Sequence, residues 1–245
     1  MRIAVIADVH GNLAALEAVL ADADTRGADL TVNIGDLLSG PLQPAETADR
    51  LMALGLPTIR GNHERQLLTL QPEQMGKSDA YANERLSEQH RAWIAGLPET
   101  MWLAEDVFLC HGTPDSDLTY FLETVEPAGA REATDAEADA RAGDLPATLI
   151  LCAHTHVPRA RSLEDGRLIV NSGAVGLPAY ADHRPYPHVM QAGSPHARYA
   201  VCEQTADGHW TAELLAVDYD WEAAARTADE RGRDDWAVAL RTGRI

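Results

Sequence analysis

Five short clusters of metal-ligand side chains punctuate this chain, and each closes an apolar, β-branched run. Asp8-Val9-His10 follows Ile3 to Ala7, Gly35-Asp36 follows Leu30 to Ile34, and Gly61-Asn62-His63-Glu64 follows Thr58-Ile59. His111-Gly112 follows Val107 to Cys110, and Ala153-His154-Thr155-His156 follows Thr148 to Cys152. In an open sheet ligands gather outside the carboxyl ends of the strands, so such strands deliver all of these side chains to one rim. Taken singly, each cluster reads as ordinary turn chemistry, since Asp and Gly are common in loops. Taken together they imply a dinuclear metal site.

The order of the clusters resembles the calcineurin-like metallophosphoesterase superfamily, whose pattern is D-x-H, G-D, G-N-H followed by an acid, H, and G-H-x-H. A bacterial and archaeal branch of it is similar beyond the ligands. Asp8-Val9-His10-Gly11-Asn12 matches its opening, and Gly35-Asp36-Leu37-Leu38-Ser39-Gly40-Pro41 with Pro44 and Glu46 matches its second motif. His111-Gly112-Thr113-Pro114 matches a third, and Asn171-Ser172-Gly173-Ala174-Val175-Gly176 matches its N-P-G-S-V-G with changes.

The resemblance implies an α/β fold, a four-layer α-β-β-α sandwich of two mixed sheets. It also implies a dinuclear metal-dependent phosphoesterase, a phosphodiesterase ahead of a phosphomonoesterase, in which a metal-bridging hydroxide attacks phosphorus. Carried over motif by motif, Asp8, His10 and His156 complete the ligands of one ion, Asn62, His111 and His154 those of the other, and Asp36 bridges both. His154 and His156 can serve different ions because alternate residues of an extended segment point in opposite directions. Two divalent ions are expected, manganese by resemblance, while iron, zinc, cobalt or nickel suit the same mixed imidazole, carboxylate and amide donors.

His63, next to ligand Asn62, is the expected catalytic residue, held near the phosphate to protonate the leaving oxygen or stabilise developing charge. Glu64 either orients that ring or opens the next helix with a favourable negative charge. The other histidines, His90, His183, His188, His196 and His209, match no metal motif. Alternative functions are a dinucleoside polyphosphate hydrolase and, outside enzymology, a protein-interaction scaffold of the same fold. The intact ligand set argues against the scaffold, and Gly35-Asp36-Leu37-Leu38-Ser39-Gly40 lacks the D-R-G of protein phosphatases.

Charge narrows the substrate. The net charge is −18 and the chain has one lysine, Lys77. Polymeric nucleic acid needs clustered Lys and Arg, so a small phosphorylated or nucleotide substrate drawn in by metals is expected instead. Cys110, Cys152 and Cys202 lie in apolar runs at scattered spacing and read as buried free thiols of a reducing compartment. Only five apolar residues separate Arg2 from Asp8, too few for a signal or membrane segment, so a cytoplasmic protein is expected.

The 245 residues read as a single domain, 1–245, with 45% apolar content for its core. Asn12 caps a helix ended by Gly27, and Pro44 to Leu54 forms a second, giving two β-α-β units with parallel strands. Asp79 to Leu97 and Trp221 to Leu240 each read as one helix. Asp165-Gly166 and Asp207-Gly208 read as hairpin turns. Two segments depart from the branch. An acidic insert at about 115–146 is expected to form short helices. An irregular loop at about 179–197 carries Tyr180, Arg184 and Tyr186, which would grip a phosphate and stack a base.

Overall fold

The computed structural model describes residues 1–245. Two mixed sheets lie face to face. In the first, β1 (Arg2–Ile6) runs parallel to β2 (Leu30–Asn33). Thr58 extends the parallel set by one bridge to Asn33. On the other side of β1 stand β12 (Ala197–Gln204) and β13 (Trp210–Val217), both antiparallel to their neighbours. In the second sheet β4 (Val107–Leu109), β7 (Leu149–Cys152) and β9 (Leu168–Asn171) are parallel. Antiparallel β3 (Met101–Ala104) and β8 (Arg159–Ser162) close its edges.

The period-two alternation of the strands explains the layers. Ile3, Val5 and Ala7 point inward and meet Leu109, Leu149 and Leu151 of the other sheet, while Ala4 and Ile6 point outward. That outer face is covered by α1 (Leu13–Thr25), α2 (Pro44–Leu54) and α5 (Glu88–Ala95) through Leu16, Val19, Leu51 and Ile94. Behind the second sheet, Phe108, Ile150 and Ile169 pack on Ala138 and Ala142 of α6 (Asp135–Ala142). Strands buried on both faces read as continuous apolar runs, as Leu149 to Cys152 does. The expected four-layer sandwich of two mixed sheets is the fold observed. No helix is long and apolar enough to cross a membrane.

Four expectations change in detail. The helix expected over 79–97 is two, α4 (Lys77–Asn83) and α5, because the Ser87 hydroxyl accepts the His90 N–H and starts a new helix there. The tail helix is likewise two, α7 (Trp221–Glu230) and α8 (Asp234–Thr242), folded back at Gly232, whose φ of +68° ends the first. The acidic segment contains a hairpin, β5 (Glu123–Glu126) and β6 (Gly129–Glu132), before its single helix α6. Gly129, at φ +120°, makes the turn that the acidic composition hid. The 179–197 loop is a second hairpin, β10 (Ala179–Asp182) with β11 (His188–Gln191). The remaining helix, α3 (Asn62–Thr69), begins inside the third ligand cluster.

Candidate metal centre

The clusters at the ends of β1, β2, β4 and β7, with that after Thr58, converge as the strand rule requires. Their backbones are unusual. Asp8, His10, Asp36, His154 and His156 have φ of 51°, 49°, 54°, 71° and 60°, and they are the non-glycine residues of the chain with positive φ. Left-handed backbone costs an L-residue roughly 1–2 kcal/mol, so the surroundings must hold each one. This also corrects the account of His154 and His156. They diverge through turned backbone and not through the alternation of an extended segment.

Neighbouring loops supply the restraint. Asp8 N–H donates to Gly35 O at 2.9 Å, His10 N–H to Asp36 O at 3.0 Å, and Gly11 N–H to Leu37 O at 2.9 Å, which zips the first ligand loop to the second. Val175 and Gly176 donate to Ala7 O and Asp8 O, each at 2.9 Å. A side chain at Gly176 would put its Cβ 1.8 Å from Val9 O, so only glycine allows that approach. Glu64 is fully buried, and its Oε2 accepts the N–H groups of Asp36 and Gly61 at 3.0 Å while Oε1 accepts that of Leu37 at 2.8 Å. Glu64 therefore ties the second and third clusters together at the start of α3, and it does not touch the His63 ring.

Two triads result. Atoms of Asp8, His10 and His156 lie within 4.8 Å of one another, and so do those of Asp36, His111 and His154. Asn62, of the third cluster, is 4% exposed and lines one cavity with His10, Asp36 and His63. His10 Nδ1 lies 2.7 Å from Ser39 O, His111 Nδ1 2.9 Å from Ile34 O, and His156 Nδ1 2.6 Å from Leu177 O. A carbonyl only accepts, so each Nδ1 carries a proton and each ring directs its Nε2 into the site, as a lone pair wherever the ring is neutral. His10 Nε2 and His156 Nε2 then face each other at 3.1 Å, which two lone pairs tolerate only with a cation or proton between them.

Burial decides the charges. It lowers His10 to about 4 and His154 to about 3, and it lowers His156 as well, which keeps these rings neutral. At His111 burial pulls down, but the Asp36 and Asp8 carboxylates outweigh it and raise the ring to about 10. Burial pushes Asp8 well above the usual carboxylate range, whereas His111 and His63 overcome burial at Asp36 and hold it well below. Both Asp8 oxygens, Asn62 Oδ1 and His111 Nε2 are buried without a hydrogen-bond partner. His111 Nε2 lies 3.1 Å from Asp36 Oδ2, close enough for an ion pair but without hydrogen-bond alignment. Buried polar groups are seldom left this way, and imidazole, carboxylate and amide oxygen form a donor set for divalent ions. The residues fit two such ions.

His63 lies at the edge of both triads, its side chain about a quarter exposed at 27%. Its N–H donates to Asp36 Oδ1 at 3.0 Å and its Nδ1 to Asp79 Oδ1 at 2.7 Å. Asp79 Oδ1 also accepts the Ser39 hydroxyl at 2.6 Å. Burial alone would lower His63, but Asp36 and then Asp79 raise it to about 9. Asp79 thus has the orienting role considered for Glu64. No sequence motif marks Asp79, which occupies an ordinary position of α4.

A cavity of about 1150 Å³ opens from His10, Asp36 and His63 toward the two hairpins. Tyr180 and Arg184 line it; Tyr186, 43% exposed, does not. Tyr180 is not a free platform either. Its hydroxyl donates to His154 O at 3.0 Å, lies 2.7 Å from that of Tyr120, and its ring stands edge-on to His156 at 4.7 Å between centroids. The hairpin thereby braces the last ligand loop, a link that no sequence pattern announced.

The calcineurin-like phosphoesterase superfamily domain matches residues 1–191. An uncharacterised protein of Methanocaldococcus jannaschii is 24% identical over 247 residues, covering 96% of this chain and 94% of its own. Among solved structures, a metallophosphoesterase from Sphaerobacter thermophilus superposes with a TM-score of 0.73 at 25% identity, covering 98% of both chains. A hypothetical protein of Pyrococcus horikoshii superposes at 0.75 with 17% identity over 99% of this chain and 98% of its own. The last likeness is one of fold.

Proposed function

The chain belongs to the calcineurin-like phosphoesterase superfamily, and from that membership and its two ligand triads we propose that it is a dinuclear metal-dependent phosphodiesterase. The observation that carries the reading is the set of buried, unpartnered donor atoms on Asp8, Asn62 and His111 beside the His63–Asp79 pair. A purely structural role or a protein-binding scaffold leaves that uncompensated polar cluster unexplained.

Asp8, His10 and His156 would hold one ion, Asn62, His111 and His154 the other, with Asp36 shared between them. When bound, such a pair supplies an activated water at neutral pH and positive charge against the phosphoryl oxygens, and we propose manganese by family resemblance. His63 does the rest of the proton work. Its Nδ1–H is held by Asp79, so a protonated ring offers Nε2–H to the leaving oxygen. Asp36 and then Asp79 raise the ring to about 9 and so favour its protonated form at neutral pH, and Asp79 also fixes its direction. A diester is preferred to a monoester because the cavity of about 1150 Å³ extends past the phosphate position and has room for a second substituent. The cytoplasm is the proposed location, where the buried free thiols of Cys110, Cys152 and Cys202 stay reduced.

A panel of phosphodiesters, phosphomonoesters and dinucleoside polyphosphates, assayed after chelation and reloading with each of the five metals, tests the proposal. Turnover should be greatest on a diester with manganese. Absence of phosphoester hydrolysis with every metal would sink it, and turnover confined to monoesters or to dinucleoside polyphosphates would reassign the substrate.

A further inference from the structure

The chain carries −18 charges, and most of its arginines are consumed by carboxylates, as Arg65 is by Asp117 and Arg241 by Glu222. Two cavity-lining arginines are not. Arg141 of α6 donates through Nη1 to Phe121 O at 2.8 Å and Glu123 O at 3.0 Å, and through Nη2 to the Thr124 hydroxyl at 2.7 Å. A guanidinium has five N–H groups, so Nε–H and the second Nη2–H remain. Nε and Nη2 lie along one edge of the planar fork, the kind of edge that grips oxygens of an oxyanion. Arg141 is partly buried, and that desolvation lowers its pKa despite the opposing pull of Glu137 and Glu123, neither of which forms an ion pair with it. Arg184, in the turn of the β10–β11 hairpin, lines the same cavity. The neighbouring Asp182 spends Oδ1 on the N–H groups of His183 and Arg184 and makes no ion pair with the guanidinium. Of the other nearby acids, Glu137 is paired with Arg131 at 2.8 Å and Glu123 with Arg159 at 3.0 Å.

We propose that Arg141 and Arg184 form an oxyanion subsite in the cavity wall that receives a second phosphate of the substrate. The assignment of that phosphate to a substrate rests on the phosphodiesterase reading; the subsite itself does not. A protein of this charge repels polyanions at long range, so two guanidiniums without ion pairs in the wall of the cavity that also holds His10, Asp36 and His63 favour substrates with two phosphates over those with one. It narrows the substrate class to phosphodiesters that carry a further phosphoryl group, such as 5′-phosphorylated dinucleotides.

Binding is tested first without chemistry. The chelated protein is titrated calorimetrically with inorganic phosphate, and separately with acetate. Saturable binding of one phosphate per chain is expected, with affinity falling about tenfold or more in Arg184→Gln, the usual scale for a lost charge-assisted contact. Arg141→Gln should lose binding too, but that side chain also holds two carbonyls, so Arg184→Gln, whose guanidinium supports nothing, decides if Arg141→Gln misfolds. No phosphate binding, or binding unchanged in Arg184→Gln, overturns the subsite. Equal affinity for acetate overturns its assignment to phosphate. The kinetic arm compares the dinucleotide ApA with its 5′-phosphorylated form on manganese-loaded protein. The wild-type KM should be about tenfold lower for the phosphorylated form, and the ratio should fall toward one in both variants. A wild-type ratio near one contradicts the proposal. If neither dinucleotide is cleaved, the reaction assignment fails while the titrations still decide the subsite.

Discussion

His63 Nδ1 donates to Asp79 Oδ1 across 2.7 Å, and that oxygen also accepts the Ser39 hydroxyl. The contact fixes which ring nitrogen faces the cavity and raises the ring's affinity for its proton. Asp79→Asn should keep the metals but lower kcat by about 10–100-fold, the usual effect of losing a hydrogen-bonded orienting partner. The sign of the pH effect follows from the charge removed. Without Asp79 the His63 pKa falls from about 9, so the alkaline limb of the kcat profile moves to lower pH. Pre-steady-state or steady-state pH profiles read this directly. A reduced kcat with an unmoved alkaline limb would leave Asp79 as a purely structural partner.

His63→Ala removes the proposed acid and leaves every ligand in place. Turnover should drop by roughly 10²–10⁴-fold, with both ions retained. Esters of nitrophenol need little protonation on leaving and should suffer less than alkyl esters. Equal losses on the two substrate types would mean that His63 positions the phosphate and does not donate a proton.

Gly176→Ala tests the support behind the first ligand loop. Its Cβ would sit 1.8 Å from Val9 O, between the two turned residues Asp8 and His10. Backbone must move, and a loss of about 3 kcal/mol or more in unfolding free energy is expected, with weakened metal binding alongside. Chemical denaturation of the chelated variant measures the first effect free of the second. Unaltered stability there would show that the loop relaxes at no cost.

The candidate ligands were legible in the sequence because four of their five clusters stand at the carboxyl ends of strands β1, β2, β4 and β7, with Asn62 following the single bridge at Thr58, and topology brings such distant ends together. Helix ends with a local cause were legible too, as at Asn12, whose side chain accepts the Ala15 N–H. Features that depend on tertiary contact were not. Asp79 sits on α4, and only the packing of that helix against α3 turns its carboxylate to His63. Nothing in Asp8 or His156 announces left-handed backbone, which the neighbouring loops impose. The hairpin at 123–132 had a turn signal in Pro127-Ala128-Gly129, but the acidic composition of the segment pointed to helix. Tyr186 and Tyr180 illustrate the same limit. Alternation cannot say that one faces solvent while the other braces His154.

Asp36 is the one carboxylate proposed, by family resemblance, to be shared; its Oδ1 accepts the His63 N–H and its Oδ2 lies beside His111 Nε2. Replacing it by asparagine removes the negative charge that offsets two cations at once. The direct measurement is metal content by elemental analysis, made on wild-type and Asp36→Asn protein saturated with manganese and freed of excess. Two ions per chain are expected for the wild type and fewer than one for the variant, with hydrolysis lost in step. A wild type that holds one ion or none, or a variant that keeps two and turns over normally, would contradict the dinuclear account.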